Sequence, residues 1–244
     1  MRITQTGSNL LDLLNTVRAG RVVPAAFQRP YVWEREDVLA LCESILKGYP
    51  IGGFLSWIPD VDLPVDKVGR RRIGPLHSGA PERGIALLLD GQNRLASMAW
   101  MMRTEDMQVP ADISDAERRV WGEGEQLVVD LAEQCMKFVP AAQAADGFRA
   151  PAWVVFGGVT ASQAIRHLWN GPWQALDKTL VEAGVRWLDD AQDKFRFARI
   201  TETTLERATL EEARDAFLHI CRVGKPMSQA DFEAAVAWVA DLSA

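Results

Sequence analysis

The chain has 244 residues, is 48% hydrophobic, contains nine tryptophans and carries a net charge of −6. That apolar content excludes a disordered chain, and the acidic balance excludes a wholesale nucleic-acid coat while leaving room for a local basic patch. Cys42, Cys135 and Cys221 are odd in number and far apart, so neither a disulfide framework nor a close-spaced metal motif follows, and a reducing, cytoplasmic setting is expected.

Met1 to Gln5 opens without the apolar core of a signal peptide. No apolar run approaches the roughly 20 residues that span a bilayer, so no membrane is expected as a partner. Ser8 caps a first predicted helix, with Leu10, Leu11, Leu14 and Val17 on one face and Gly20 after it. Arg21 to Ala25 reads as a short strand, and Pro24 assigns it to a sheet edge or a strand end. A loop over Gln28-Arg29-Pro30-Tyr31-Val32-Trp33 leads to a helix from about Glu34 to Lys47 with a Val38, Leu41, Cys42, Ile45 stripe. Gly48-Tyr49-Pro50 stops it, and Ile51 to Ile58 reads as a strand.

Residues 59–84 are rich in Pro, Gly and Arg and read as one long loop. Leu87-Leu88-Leu89 then ends abruptly in Asp90-Gly91-Gln92-Asn93-Arg94, followed by Leu95, Met98, Ala99 and Met102 at helical spacing. This is a buried strand, a tight turn and a helix start. Ser114 with Glu117 forms a capping box. Leu127 to Leu131, Met136 to Val139 and Trp153 to Phe156 are read as strands. Thr160 with Gln163 opens a helix, and a long helix covers about 174–196. Phe197 to Thr203 alternates as a strand, Thr209 with Glu212 caps a helix, and a last helix starts at Ser228. The fold class is α/β (α+β), a small mixed sheet with a mainly helical C-terminal region. The division expected is a core over 1–159 and a helical part of the same domain over 160–244.

Four clusters carry candidate chemistry. At the Asp90–Arg94 turn, the first amides of a helix attract an anion, and Arg94 adds a fork for two phosphate oxygens. Asp90 then holds a magnesium ion, orients a water or pins Arg94; the plain alternative is a cap with a surface ion pair. In the Gln28–Trp33 segment, Tyr31 and Trp33 suit stacking on a base while Arg29 holds a phosphate; the alternative is that both rings pack on the second helix. The Phe217–Ser228 joint is a complete helix–turn–helix and needs no further role. Lys67, Arg70, Arg71, Arg72 and Arg83 either contact nucleic-acid phosphates or are simply solvated. No phosphate loop of the Gly-Lys-Ser/Thr kind, no His-Glu-x-x-His and no Cys-x-x-Cys is present.

Three of these segments together resemble a known family. Gln28-Arg29-Pro30-Tyr31-x-Trp33, Ser44-Ile45-x-x-Gly48-Tyr49-Pro50-Ile51-Gly52 and Leu89-Asp90-Gly91-Gln92-Asn93-Arg94-Leu95 look like the GmrS-type domain, the N-terminal half of GmrSD modification-dependent restriction enzymes, with a hallmark Asp-Gly-Gln-Gln-Arg and a ParB/sulfiredoxin-like core. The resemblance implies binding and hydrolysis of a nucleoside triphosphate (GTP or ATP) with magnesium, a role in sensing DNA modification, and a partner nuclease or effector chain. Carried over by position, it places Gln28, Arg29, Asp90, Gln92, Asn93 and Arg94 at the site. Joined with the residue reading above, the nucleotide contacts expected are Gln28, Arg29, Tyr31, Trp33, Gly91, Arg94 and Cys221, and the catalytic residues Asp90, Gln92, Asn93 and Arg94, with Asp90 binding magnesium or positioning water. Folding is expected to bring the Arg29 and Arg94 turns together. Two departures stand out. Asn93 replaces the second glutamine, keeping the amide but shortening its reach. His219 and Cys221 occupy places where the family has arginine and asparagine, a loss that weakens the nucleotide site or abolishes turnover. The chain ends without the His-Asn-His nuclease half that often follows, so cutting is expected to need another chain. Two other readings stay open: a non-catalytic DNA-binding or modification-sensing module using Arg70, Arg71 and Arg72, and a subunit that only docks an effector. An oligomer is compatible with all three.

Overall fold

The computed structural model describes residues 1–28, 30–59, 69–70, 72–77, 85–122, 124–221 and 233. The fold is mixed α/β. In chain order the first half comprises β1 (Arg2–Asn9), α1 (Leu10–Arg18), β2 (Val22–Pro24), α2 (Arg35–Leu46), β3 (Gly53–Pro59), β4 (Arg72–Ile73), β5 (Leu76–His77), β6 (Ala86–Asp90) and α3 (Gln92–Met101). The second half comprises α4 (Asp115–Trp121), β7 (Glu125–Asp130), β8 (Cys135–Pro140), β9 (Arg149–Pro151), α5 (Gly158–Trp169), α6 (Lys178–Phe197), β10 (Arg199–Ala208) and α7 (Leu210–Cys221).

The main sheet has the order β1-β10-β3-β6-β2. β1 and β10 are antiparallel, β10 and β3 parallel, β3 and β6 antiparallel, and β2 and β6 parallel. β6 lies second from one edge and is buried on both faces, which is why it reads as an unbroken leucine run. Leu88 points into the larger core with α1, α2 and α3, while Leu87 and Leu89 point into a smaller one with Trp57, Leu205 and Phe217 of α7. β2 is an edge strand, which tolerates Pro24 because its amide side needs no ladder partner. β7, β8 and β9 form a separate antiparallel sheet. Asp130 is buried there and takes Lys137 Nζ at 2.8 Å and Arg149 Nε at 3.0 Å.

Several expectations are corrected. Ser8 does not cap α1; it lies in β1 and bonds Glu202, and the N-cap is Asn9. β1 escapes sequence reading because it is mostly exposed and carries no apolar alternation. Trp153 to Phe156 is not a strand but a 3₁₀ segment, Ala152–Phe156, with Val154 and Val155 both buried. Consecutive buried residues cannot face one side of a strand. Thr160 lies inside α5, which starts at Gly158. The long helix starts at Lys178 behind the Asp177 cap, because Pro172–Ala175 forms its own 3₁₀ turn. Within the expected 59–84 loop, β4 and β5 make a short hairpin. The C-terminal region also contributes β10, which runs to Ala208 between β1 and β3, so the sheet is built from both parts of the chain. The helix expected from Ser228 lies outside the described residues.

The capping boxes hold. Ser114 accepts from the Glu117 amide while Glu117 accepts from the Ser114 amide. Thr209 and Glu212 do the same at α7. α2 has its box between Glu34 and Asp37.

Candidate functional site at the end of β6

Gly91 joins β6 to α3 in a left-handed conformation, φ 95°. A side chain there would also drive a Cβ into the Phe54 ring. Gly91 is the N-cap of α3 and has no side chain to cap it, its first turn holds no acidic residue, and no other side chain caps that helix among the described residues. Its opening amides are therefore available to an acceptor. In the same turn, Gln92 Oε1 is buried and has no hydrogen-bond partner among the described residues.

Arg94 turns inward. Its Nη1 donates to the Ile51 carbonyl at 2.8 Å and its Nη2 to Asp90 Oδ2 at 3.1 Å, and the guanidinium lies 4.9 Å from the centre of the Phe54 ring. The Arg94 side chain is only 17% exposed, against 45% for Asp90. Burial draws the guanidinium below its ordinary pKa, against the opposing pull of Asp90. The expected direct phosphate fork is thus occupied by protein groups. Of the three roles open to Asp90, the geometry shows the pairing with Arg94.

The Gln28–Trp33 segment sits against the same turn. Gln28 is buried and its Nε2 donates to Leu88 O at 2.6 Å, two residues before Asp90. The Val32 amide donates to Asn93 Oδ1 at 2.9 Å. The two polar corners, distant in sequence, therefore meet through Gln28 and Asn93. Arg29 itself lies outside the described residues. Tyr31 is not free to stack on a base: it is 4% exposed, its hydroxyl shares a 2.8 Å bond with Ser97 and accepts from Trp121 Nε1. Burial pushes that hydroxyl up to about 12. Trp33 packs partly buried on the main core. Packing on helices is therefore the role that the structure shows for both rings.

The basic residues of the 67–72 stretch that are described also point inward. Arg70 donates through Nη2 to Gln28 O at 2.6 Å, and its amide bonds Pro24 O, so it straps the corner in place. Arg72 clamps Glu117 with two bonds of 2.8 and 2.9 Å. Neither guanidinium is presented to an outside phosphate. Arg71 lies outside the described residues, as does the side chain of Cys221, while His219 is exposed on α7.

Sequence reasoning missed Gly52 as a site residue. Its φ is +84°, and a Cβ there would collide with Arg94 Nη1. The paired glycines 52 and 53 ahead of a strand were the available signal. Gly52→Ala should cost about 1–3 kcal/mol and displace Arg94 from Ile51, read as a lower midpoint in urea unfolding.

The model of the GmrSD restriction endonuclease N-terminal domain matches residues 10–234. An uncharacterized protein of Methanocaldococcus jannaschii is 28% identical over 146 residues, covering 57% of this chain. The chain spans 25% of that relative's length. No helix among the described residues is long and apolar enough to cross a membrane. With the family match running over most of its length, the chain belongs to the N-terminal domains of GmrSD restriction endonucleases.

Proposed function

We propose that the chain is the nucleotide-binding regulatory part of a DNA-modification-dependent restriction system, acting with an effector nuclease on a partner chain or partner segment. Membership of the family supports the restriction setting. The observation that carries the nucleotide reading is the first turn of α3: among the described residues it has no side-chain cap, it meets Val32 through Asn93, and it holds a buried Gln92 Oε1 with no partner. A buried amide oxygen without a bond costs about 1–3 kcal/mol, so a donor or cation arriving there relieves it.

In this reading the α3 amides and Arg29 receive phosphate oxygens. Asp90 suits magnesium, which commonly takes one or two carboxylates beside phosphate oxygens and water. Its Oδ2 is held by Arg94 and the side chain is half exposed, a donor set that fits such an ion. The ion, when bound, offsets phosphate charge. Arg94 acts as a positioning residue, fixing Asp90. Gln92 orients a phosphate oxygen or the attacking water, and Asn93 holds the Val32 amide. Isothermal titration with GTP and ATP in magnesium tests the reading. Heat at micromolar concentrations supports it; no heat for either nucleotide from folded protein removes it.

A further inference from the structure

The Gly48-Tyr49-Pro50-Ile51-Gly52 stretch does more than supply the Ile51 carbonyl. It forms one wall of a cavity of about 580 Å³. The opposite wall comes from the end of α6 and the start of β10, with Asp193, Lys194, Phe197 and Arg199. Volumes of this order hold small organic ligands.

Three features define what would fit. Tyr49 and Phe197 both line the cavity, and each is 61% exposed. Large rings left open on either side of one cavity suit a flat partner. Second, Arg199 brings a cation to the rim; Lys194, also in the lining, is paired with Asp190, and Lys47, whose Nζ stands 6.0 Å from the Tyr49 ring centre, is paired with Glu43. Asp193 is the one acid in the lining and offers an acceptor for a ring N–H. A planar ring with an anionic substituent meets all of these demands.

The third feature is position. Ile51 lines the cavity while its carbonyl takes Arg94 Nη1 at 2.8 Å. β3 runs parallel to β10 and antiparallel to β6, so Ile51, Arg199 and Gly91 all lie at the same end of the sheet. The cavity therefore adjoins the Asp90–Arg94 corner and shares a wall residue with it.

We propose that this cavity holds the base of a nucleoside phosphate, its ring against Tyr49 and Phe197 and its phosphates running past Ile51 toward the Asp90–Arg94 corner. The inference rests on the nucleotide reading above and adds where the base sits. It gives the Gly48–Gly52 stretch a direct part in ligand recognition.

Titration calorimetry on the full chain tests it, using ATP, GTP and inorganic triphosphate in magnesium with the wild type, Tyr49→Ala, Phe197→Ala and Tyr49→Phe. Both rings are exposed, so thermal melts should be unchanged. The expected result is nucleotide binding at least about tenfold weaker in the two alanine variants, near wild type in Tyr49→Phe, with triphosphate binding alike in all four. Equal nucleotide affinity in all four proteins overturns the cavity assignment and leaves the nucleotide reading standing. Triphosphate affinity that falls as far as nucleotide affinity also overturns it, because the rings then do not act on the base. A wild type that binds neither nucleotide removes the underlying reading, and this inference with it.

Discussion

Glu117→Ala should be among the most destabilising single changes in the chain. Glu117 is 4% exposed and serves three elements at once. It takes both Arg72 nitrogens at 2.8 and 2.9 Å, the Ser114 amide at 3.0 Å and Trp100 Nε1 at 3.3 Å. The residue thus ties the β4–β5 hairpin and the N-terminus of α4 to α3. Truncation takes from the mostly buried Arg72 its two short bonds to a buried carboxylate and leaves it only the exposed Asp112 carboxylate, a loss of about 3 kcal/mol. In a chain of this size that lowers Tm by about 6 °C or more. Arg72→Met with Glu117→Leu should recover much of the loss, since removing both charges leaves neither stranded. Burial pushes the Glu117 carboxyl up, but the Arg72 bonds and the Ser114 amide outweigh it and hold the group below the usual carboxylate range. A depressed folded pKa contributes stability that is complete above the unfolded value of about 4.3 and is lost as pH falls through the folded value. Asp130, held down by Lys137, Arg149 and the Glu133 amide, acts in the same direction. Urea unfolding at pH 7 and pH 3 should show this acid loss in the wild type and a smaller one in the double variant.

Arg94→Ala is expected to lower nucleotide affinity by one to two orders of magnitude, although Arg94 need not touch the nucleotide. The substitution removes the bond to Ile51 O and the pair with Asp90 Oδ2. Charge-assisted bonds of this kind contribute about 1.5–3 kcal/mol each. Asp90 then loses its fixed rotamer, and the Ile51 turn loses its anchor. Arg94→Lys should recover only part of the affinity, because one ammonium does not reproduce a planar fork reaching two acceptors. Asp90→Asn separates the two effects: it keeps the shape, removes the charge, and should weaken binding only when magnesium is present. Titration of each variant with and without magnesium reads this difference.

Where burial was one-sided or complete, the elements were legible from residue pattern alone. β6 and α3 are the clearest case, since Leu87 to Leu89 and the Leu95, Met98, Ala99 spacing leave few alternatives. The boxes at Ser114 and Thr209 are local and needed no tertiary knowledge. β1 was invisible because an exposed edge strand of Thr, Gln, Gly and Ser has no buried face to pattern. At the site, the two corners named from sequence touch through Val32 and Asn93, but the direction of the side chains was not legible. Arg94, Arg70 and Tyr31 all looked available to a ligand; each instead meets a protein group. Residue type gives the chemistry a side chain can do, while burial decides whether it faces a ligand or the fold. The Ile51 carbonyl was missed because backbone groups leave no mark in a motif of side chains.

The account depends on the first turn of α3 being an anion site met by the Gln28–Trp33 segment. A crystal grown with a non-hydrolysable nucleoside triphosphate and magnesium tests this most directly. We expect phosphate density against the amides of Gln92 and Asn93, within reach of Asp90, with Gln92 Oε1 accepting from a water or facing the cation. A nucleotide bound elsewhere, or an α3 N-terminus unchanged at saturating nucleotide, would contradict the account.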